Sequence, residues 1–106
     1  MIFGNVADYT RGWFIGDFEP SLVRLQDFEA CYKSFSVGEK ESPAVQLTAT
    51  ELTLVVHGEA KINGVTLMEG DLCLVLPGET ADFFAVTDCK VVGIKFPSIT
   101  NDKKGR

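Results

Sequence analysis

GEKESPAVQLTATELTLVVHG, residues 38–58, decides how the rest of the chain is read. Its second half, Glu51–His57, is a run of β-branched and apolar residues halted by Gly58, the composition of a strand entering a turn. Successive side chains of a strand point to opposite faces, so Glu51, Thr53 and Val55 share one face and Leu52, Leu54 and Val56 the other. A carboxylate on the inward face must find hydrogen-bond partners there. Fixed spacings precede it: from Gly38, five residues to Ala44, one to Gln46, four to Glu51, and six more to Gly58.

Strand signals continue on both sides. Phe28–Val37 is rich in aromatic residues and runs into Gly38. Glu59–Ile62 and Val65–Leu67 flank Asn63-Gly64, a pair suited to a type I′ hairpin turn because both central positions need positive φ. Gly70-Asp71 introduces Leu72–Leu76, which ends at Pro77-Gly78, and Thr87-Asp88 separates Asp82–Val86 from Lys90–Phe96. Helical periodicity is nearly absent, with a single turn expected at Asn5–Tyr9. Short strands punctuated by turn residues predict an all-β sandwich or barrel. At 106 residues the chain has room for one core. The expected organisation is an N-terminal arm or edge strands over 1–27, a barrel over 28–97 and a polar, frayed tail over 98–106. Arg11–Leu22 concentrates Trp13, Phe14, Ile15 and Phe18. It reads either as an edge strand closing the core or as an arm packed on a partner subunit.

Composition narrows the function classes. A net charge of −5 and a pI near 4.7 argue against a nucleic-acid partner, since a phosphate backbone repels such a surface. Cys31, Cys73 and Cys89 are widely spaced and form no C-x-x-C pair, so they read as buried free thiols. Met1–Phe14 has no apolar signal-peptide region and no run reaches a membrane span, which predicts a soluble, cytoplasmic protein without a membrane partner.

The spacing of residues 38–58 resembles the first motif of the cupin superfamily, G-x5-H-x-H-x4-E-x6-G, with Ala44 and Gln46 in place of the histidines. Gly70-Asp71 and Pro77-Gly78 resemble the turns of the second cupin motif; Ala81 then stands at the third histidine position and Ala85 at the asparagine position. The resemblance covers about sixty residues, 38–97, and implies an all-β double-stranded β-helix, or jelly-roll barrel. The chain also resembles short bacterial and phage-type cupin-like proteins, a likeness that implies no activity. In metal-binding cupins the two histidines and the glutamate hold a divalent transition metal. Here only Glu51 is a strong ligand, so the expectation is a protein with no metal and no cofactor.

The expected pocket is a narrow, mostly apolar space at one barrel end, with Gln46 and Glu51 as its polar floor and Thr53 and Tyr32 on its walls. Tyr32 and Lys33 alternate faces, and alternation alone does not say which points inward. His57, the only histidine, sits at a strand end before Gly58 and reads as a solvated turn residue. Asp71 reads as a turn-capping carboxylate, and Glu39, Glu41 and Glu59 as solvated surface. These features predict a non-catalytic or ligand-binding cupin-like homodimer, paired through the outward face of Glu51–His57 and the Trp13 arm, with a small polar metabolite or sugar in the barrel. The alternative is a cofactor-independent sugar isomerase or epimerase in which Glu51 transfers protons with Tyr32 or His57.

Overall fold

In the computed structural model, which describes residues 1–105, short strands joined by tight turns dominate. In chain order they are β1 (Trp13–Ile15), β2 (Glu29–Phe35), β3 (Lys40–Gln46), β4 (Thr50–His57), β5 (Ala60–Ile62), β6 (Val65–Leu67), β7 (Leu72–Val75), β8 (Thr80–Ala85), β9 (Cys89–Phe96) and β10 (Lys103–Gly105). Two five-stranded sheets, ordered β1-β2-β9-β4-β7 and β10-β3-β8-β5-β6, face each other as a jelly roll. The turn signals act as their chemistry dictates. Asn63 and Gly64 take φ of 50° and 78° in the β5–β6 hairpin. Asp71 accepts a hydrogen bond from the Met68 amide at 2.8 Å. Gly58 has φ of 83°, and a side chain there would run into the Asp88 carbonyl. The expected N-terminal turn is a 3-10 turn over Val6–Asp8, capped by the Asn5 side chain.

The core occupies one end of the barrel. Val55, Ile62, Leu67, Phe83, Ala85 and Val91 pack together there with Cys89. Phe35 stacks on Phe83 with ring centroids 4.5 Å apart, a tilted pair of the kind that adds to plain burial. Cys31 and Cys89 are buried free thiols, as expected, whereas Cys73, on the short strand β7, is a free thiol only partly buried. Burial pushes the Cys31 thiol up to about 11, against the opposing charge of Lys33.

Two bulges change which residues face inward. Between β3 and β8 the register passes from Glu41↔Phe83 to Ala44↔Ala81, so Ser42 and Pro43 together oppose Asp82. The missing proline N–H is tolerated at such a bulge. As a result Glu41 and Ala44 both face the interior, which a regular strand forbids. Between β4 and β9 the register slips from Val55↔Val91 to His57↔Lys90, and His57 comes out exposed.

The expectation of a frayed C-terminal tail changes. Lys103–Gly105 pairs with β3, so the polar tail is part of a sheet through residue 105; Arg106 lies outside the described residues. Asp102 is buried because both its carboxylate oxygens accept amide hydrogen bonds, from Thr48 at 2.9 and 3.0 Å and from Ala49 at 2.8 Å. β1 is an edge strand whose Trp13 opposes Cys31, and the ring lines the barrel mouth. No helix among the described residues is long and apolar enough to cross a membrane.

Candidate functional site

At the end opposite the core, inward positions turn polar. Cross-strand register sets Glu29 of β2, Lys95 of β9 and Glu51 of β4 side by side, since Glu29 pairs with Lys95 and Lys95 with Glu51. One position deeper come Cys31, Gly93 and Thr53. Gly93 leaves room for sulfur: a Cβ there would lie 2.8 Å from Cys31 Sγ. Above this floor opens a cavity of about 660 Å³. A smaller one of about 50 Å³ lies beneath, between Ala44, Gln46, Glu51, Thr53 and Ala81.

The polar groups are tightly partnered. Lys95 Nζ lies 2.8 Å from Glu29 Oε1, and both side chains are buried. The Ser98 hydroxyl donates to Glu29 Oε2 at 2.7 Å and itself accepts from the Asp17 amide at 2.9 Å. Removing one member of such a buried pair leaves an uncompensated charge. Lys33 Nζ lies 3.7 Å from Glu41, and the Lys33 and Lys95 ammoniums sit 5.4 and 5.8 Å from the Trp13 ring centroid. Gln46 Nε2 donates to Glu51 Oε2 at 2.7 Å, while Gln46 Oε1 is buried with no hydrogen-bond donor among the described residues. Burial alone would raise the Asp102 carboxyl, but the amide bonds from Ala49 and Thr48, with Lys95 nearby, outweigh it and hold it below the ordinary range.

Gln46 and Glu51 therefore stand together as the expected polar floor, and Thr53 lines the smaller cavity. Tyr32 does not join them. It opposes Val92 on the outer face, and its neighbour Lys33 faces the interior. His57 is also away from the site. The cavity wall is charged rather than mostly apolar, and Glu41, exposed as expected, also lines it. Glu29, Lys95, Trp13 and Asp102 were not foreseen. Alternation in KVVGIKF already groups Val91, Gly93 and Lys95 on one face, which was a readable signal for Lys95.

A transition metal does not fit the residues at the motif positions. Ala44 and Ala81 face each other across β3 and β8 with no ligating atoms. The amide nitrogen of Gln46, not a metal, engages Glu51. Among the described residues no group of three or more histidine, cysteine or acidic side chains is placed to hold an ion.

Neither a protein-family model nor a curated protein matches the sequence. Solved structures do match the fold. An uncharacterized conserved protein with a double-stranded beta-helix domain from Klebsiella pneumoniae superposes with a TM-score of 0.73 at 16% identity, over 97% of this chain and 89% of that one. The chain has the cupin fold. KdgF from Halomonas sp. matches with a TM-score of 0.66 at 20% identity, covering 73% of this chain and 74% of that one. The bacterial pirin YhhW from Escherichia coli, solved in complex with nickel(II), matches at 0.69 and 21% identity over 83% of this chain and 39% of its own. This cupin barrel thus shares its scaffold with a nickel-bound protein while carrying alanines and an amide at the motif's histidine positions.

Proposed function

We propose that this cupin barrel is a metal-free binding protein for a small polar molecule held in the cavity above Gln46 and Glu51. The observation that carries the reading is the cavity itself, about 660 Å³ and open to one end, with a hydrogen-bonded amide–carboxylate pair where metal ligands stand in the cupin motif. The test is a thermal-shift screen against polar metabolites and sugars. A hit on the wild-type chain that is lost in Glu51→Gln, whose unliganded melting temperature is nearly unchanged, supports binding at this site. A blank screen with a stability change alone contradicts it. Elemental analysis finding near one equivalent of iron, manganese, nickel or zinc per chain contradicts the metal-free part.

The proton-transfer alternative built on Glu51 with Tyr32 or His57 has no geometric support, because neither partner lines the cavity. Homodimerisation belongs to the same proposal. Leu72, Leu74, Leu76 and Phe96 are 40–62% exposed on the outer face of the β1-β2-β9-β4-β7 sheet, next to half-buried Leu52 and Leu54. A contiguous apolar face of this kind marks an interface. Trp13 is not part of it, since its ring serves the cavity. Light scattering should give about twice the 11.6 kDa chain mass; the monomer mass at tens of micromolar contradicts pairing.

A further inference from the structure

Each sheet ends in two edge strands, and three of these four edges are protected. β1 is covered by its own chain: the Leu22 amide donates to the Phe14 carbonyl at 2.7 Å and the Gly16 amide to the Val23 carbonyl at 3.3 Å. β10 is three residues long and begins with Lys103 and Lys104. β6 is also three residues long, with Leu67 turned into the core. Short strands and lysines are common guards of a sheet edge. β7 lacks a guard. It runs through Leu72-Cys73-Leu74-Val75 into Leu76 without a charge or a proline, and among the described residues only β4 pairs with it.

The hydrogen-bonding phase of this edge follows from its ladder. The Val55 amide donates to the Asp71 carbonyl at 3.1 Å, so by antiparallel alternation Cys73 and Val75 direct their backbone groups to β4. Leu72 and Leu74 turn theirs to the open side. The Leu76 amide and carbonyl are already occupied, by Glu79 Oε1 and the Glu79 amide. Beside the bared backbone runs a groove of about 240 Å³, with Val65, Leu67, Leu72 and Leu74 among its walls. Val65, Met68, Leu72, Leu74 and Leu76 are 49–65% exposed. They present on the order of several hundred Å² of apolar surface, approaching the ~800 Å² that each partner of a standard interface buries.

We propose that β7 pairs antiparallel with β7 of a second copy about a twofold axis through Cys73, joining a five-stranded sheet of each into one. Leu72 then lies opposite the partner's Leu74, and Leu74 opposite the partner's Leu72, so every free backbone group of Leu72 and Leu74 is used. An axis through Leu74 would set Leu72 against the partner's Leu76, whose groups are taken. An axis through Leu72 would set Leu74 against the partner's Gly70, whose amide already donates to the Val55 carbonyl at 2.8 Å. Charge agrees with the Cys73 register. Asp71 falls opposite the partner's Val75 and Glu69 opposite the partner's Pro77, so acidic residues do not meet across the axis in a chain of net charge −5. A charged foreign strand finds nothing on Leu72–Leu76 to recognise, whereas a second copy brings a matching uncharged one. The inference rests on the homodimer reading above and names the edge through which the copies meet.

This register makes the two Cys73 residues a non-hydrogen-bonded pair on one face, with Cα atoms about 4.5 Å apart, within the span of a disulfide. Diamide, which takes up the two thiol hydrogens as the bond forms, should therefore convert the native full chain to a covalent dimer on a non-reducing gel. Cys73→Ser should abolish that product while light scattering still gives twice the 11.6 kDa chain mass. Cys31 and Cys89 are buried and should form none. Leu72→Lys and Leu74→Glu change outward, exposed side chains, so both variants should still melt cooperatively. Each alone should shift the mass to that of one chain. The double variant sets opposite charges face to face across the axis and should regain the dimer. A dimer that survives both single variants, a double variant that stays monomeric, or the lack of a Cys73 product overturns the inference and leaves pairing through the sheet face standing. A wild-type chain that is monomeric at tens of micromolar removes the homodimer reading as well.

Discussion

The same strands run from a dry end to a charged one. Along β9 the inward residues pass from Cys89 and Val91 to Gly93 and Lys95; along β4 they pass from Val55 through Thr53 to Glu51, and along β2 from Phe35 to Glu29. At the first end, apolar side chains interlock and exclude water. At the second, each buried charge has a partner and a cavity remains. The difference teaches that a barrel of this fold can carry alanine and glutamine at the motif's histidine positions, because the hydrophobic work of folding is done at the other end.

Breaking the dry end should have the largest effect. Phe83→Ala removes the ring stacked on Phe35 and should destabilise the chain by about 3–5 kcal/mol in denaturant unfolding. At the charged end, Lys95→Met strands Glu29 and should cost about 3 kcal/mol, while the double variant Lys95→Met/Glu29→Gln should recover most of it. If the single and double variants are equally unstable, the pair is not coupled and the comparison weakens.

Asp102→Asn should cost about 1–3 kcal/mol by loosening β10 from the Thr48–Ala49 amides. Its pH dependence has a fixed sign. The folded carboxyl lies below its ordinary value of 3.8, so its stabilisation is complete above that value and disappears as pH falls through the lower folded one. Wild type should therefore lose melting temperature in strong acid more steeply than Asp102→Asn does. The smallest change in stability, below about 1 kcal/mol, belongs to Glu51→Gln, which can still accept from Gln46; the variant should lose ligand response instead.

Much of the scaffold was legible because glycine, asparagine and proline act locally. Gly58, Asn63-Gly64, Gly70-Asp71 and Pro77-Gly78 mark turns by their own backbone preferences, and the motif spacing carried Gln46, Glu51 and Thr53 to the right face. What stayed hidden depends on register between distant strands. The Glu29–Lys95 pair exists only once β2 lies against β9, and the same pairing decides that Lys33, not Tyr32, points inward. Glu41 escaped because the Ser42-Pro43 bulge breaks the period of two on which alternation relies. Asp102 escaped because its partners are backbone amides of a loop, which leave no pattern in side-chain chemistry.

The most direct measurement of the central claim, that an amide–carboxylate pair floors a ligand site in place of a metal centre, is a crystal structure of the untagged protein. The account predicts Gln46 Nε2 on Glu51, and density for a small molecule or ordered water in the cavity above them. A metal coordinated by Glu51, or Glu51 turned to the outer surface, would contradict it.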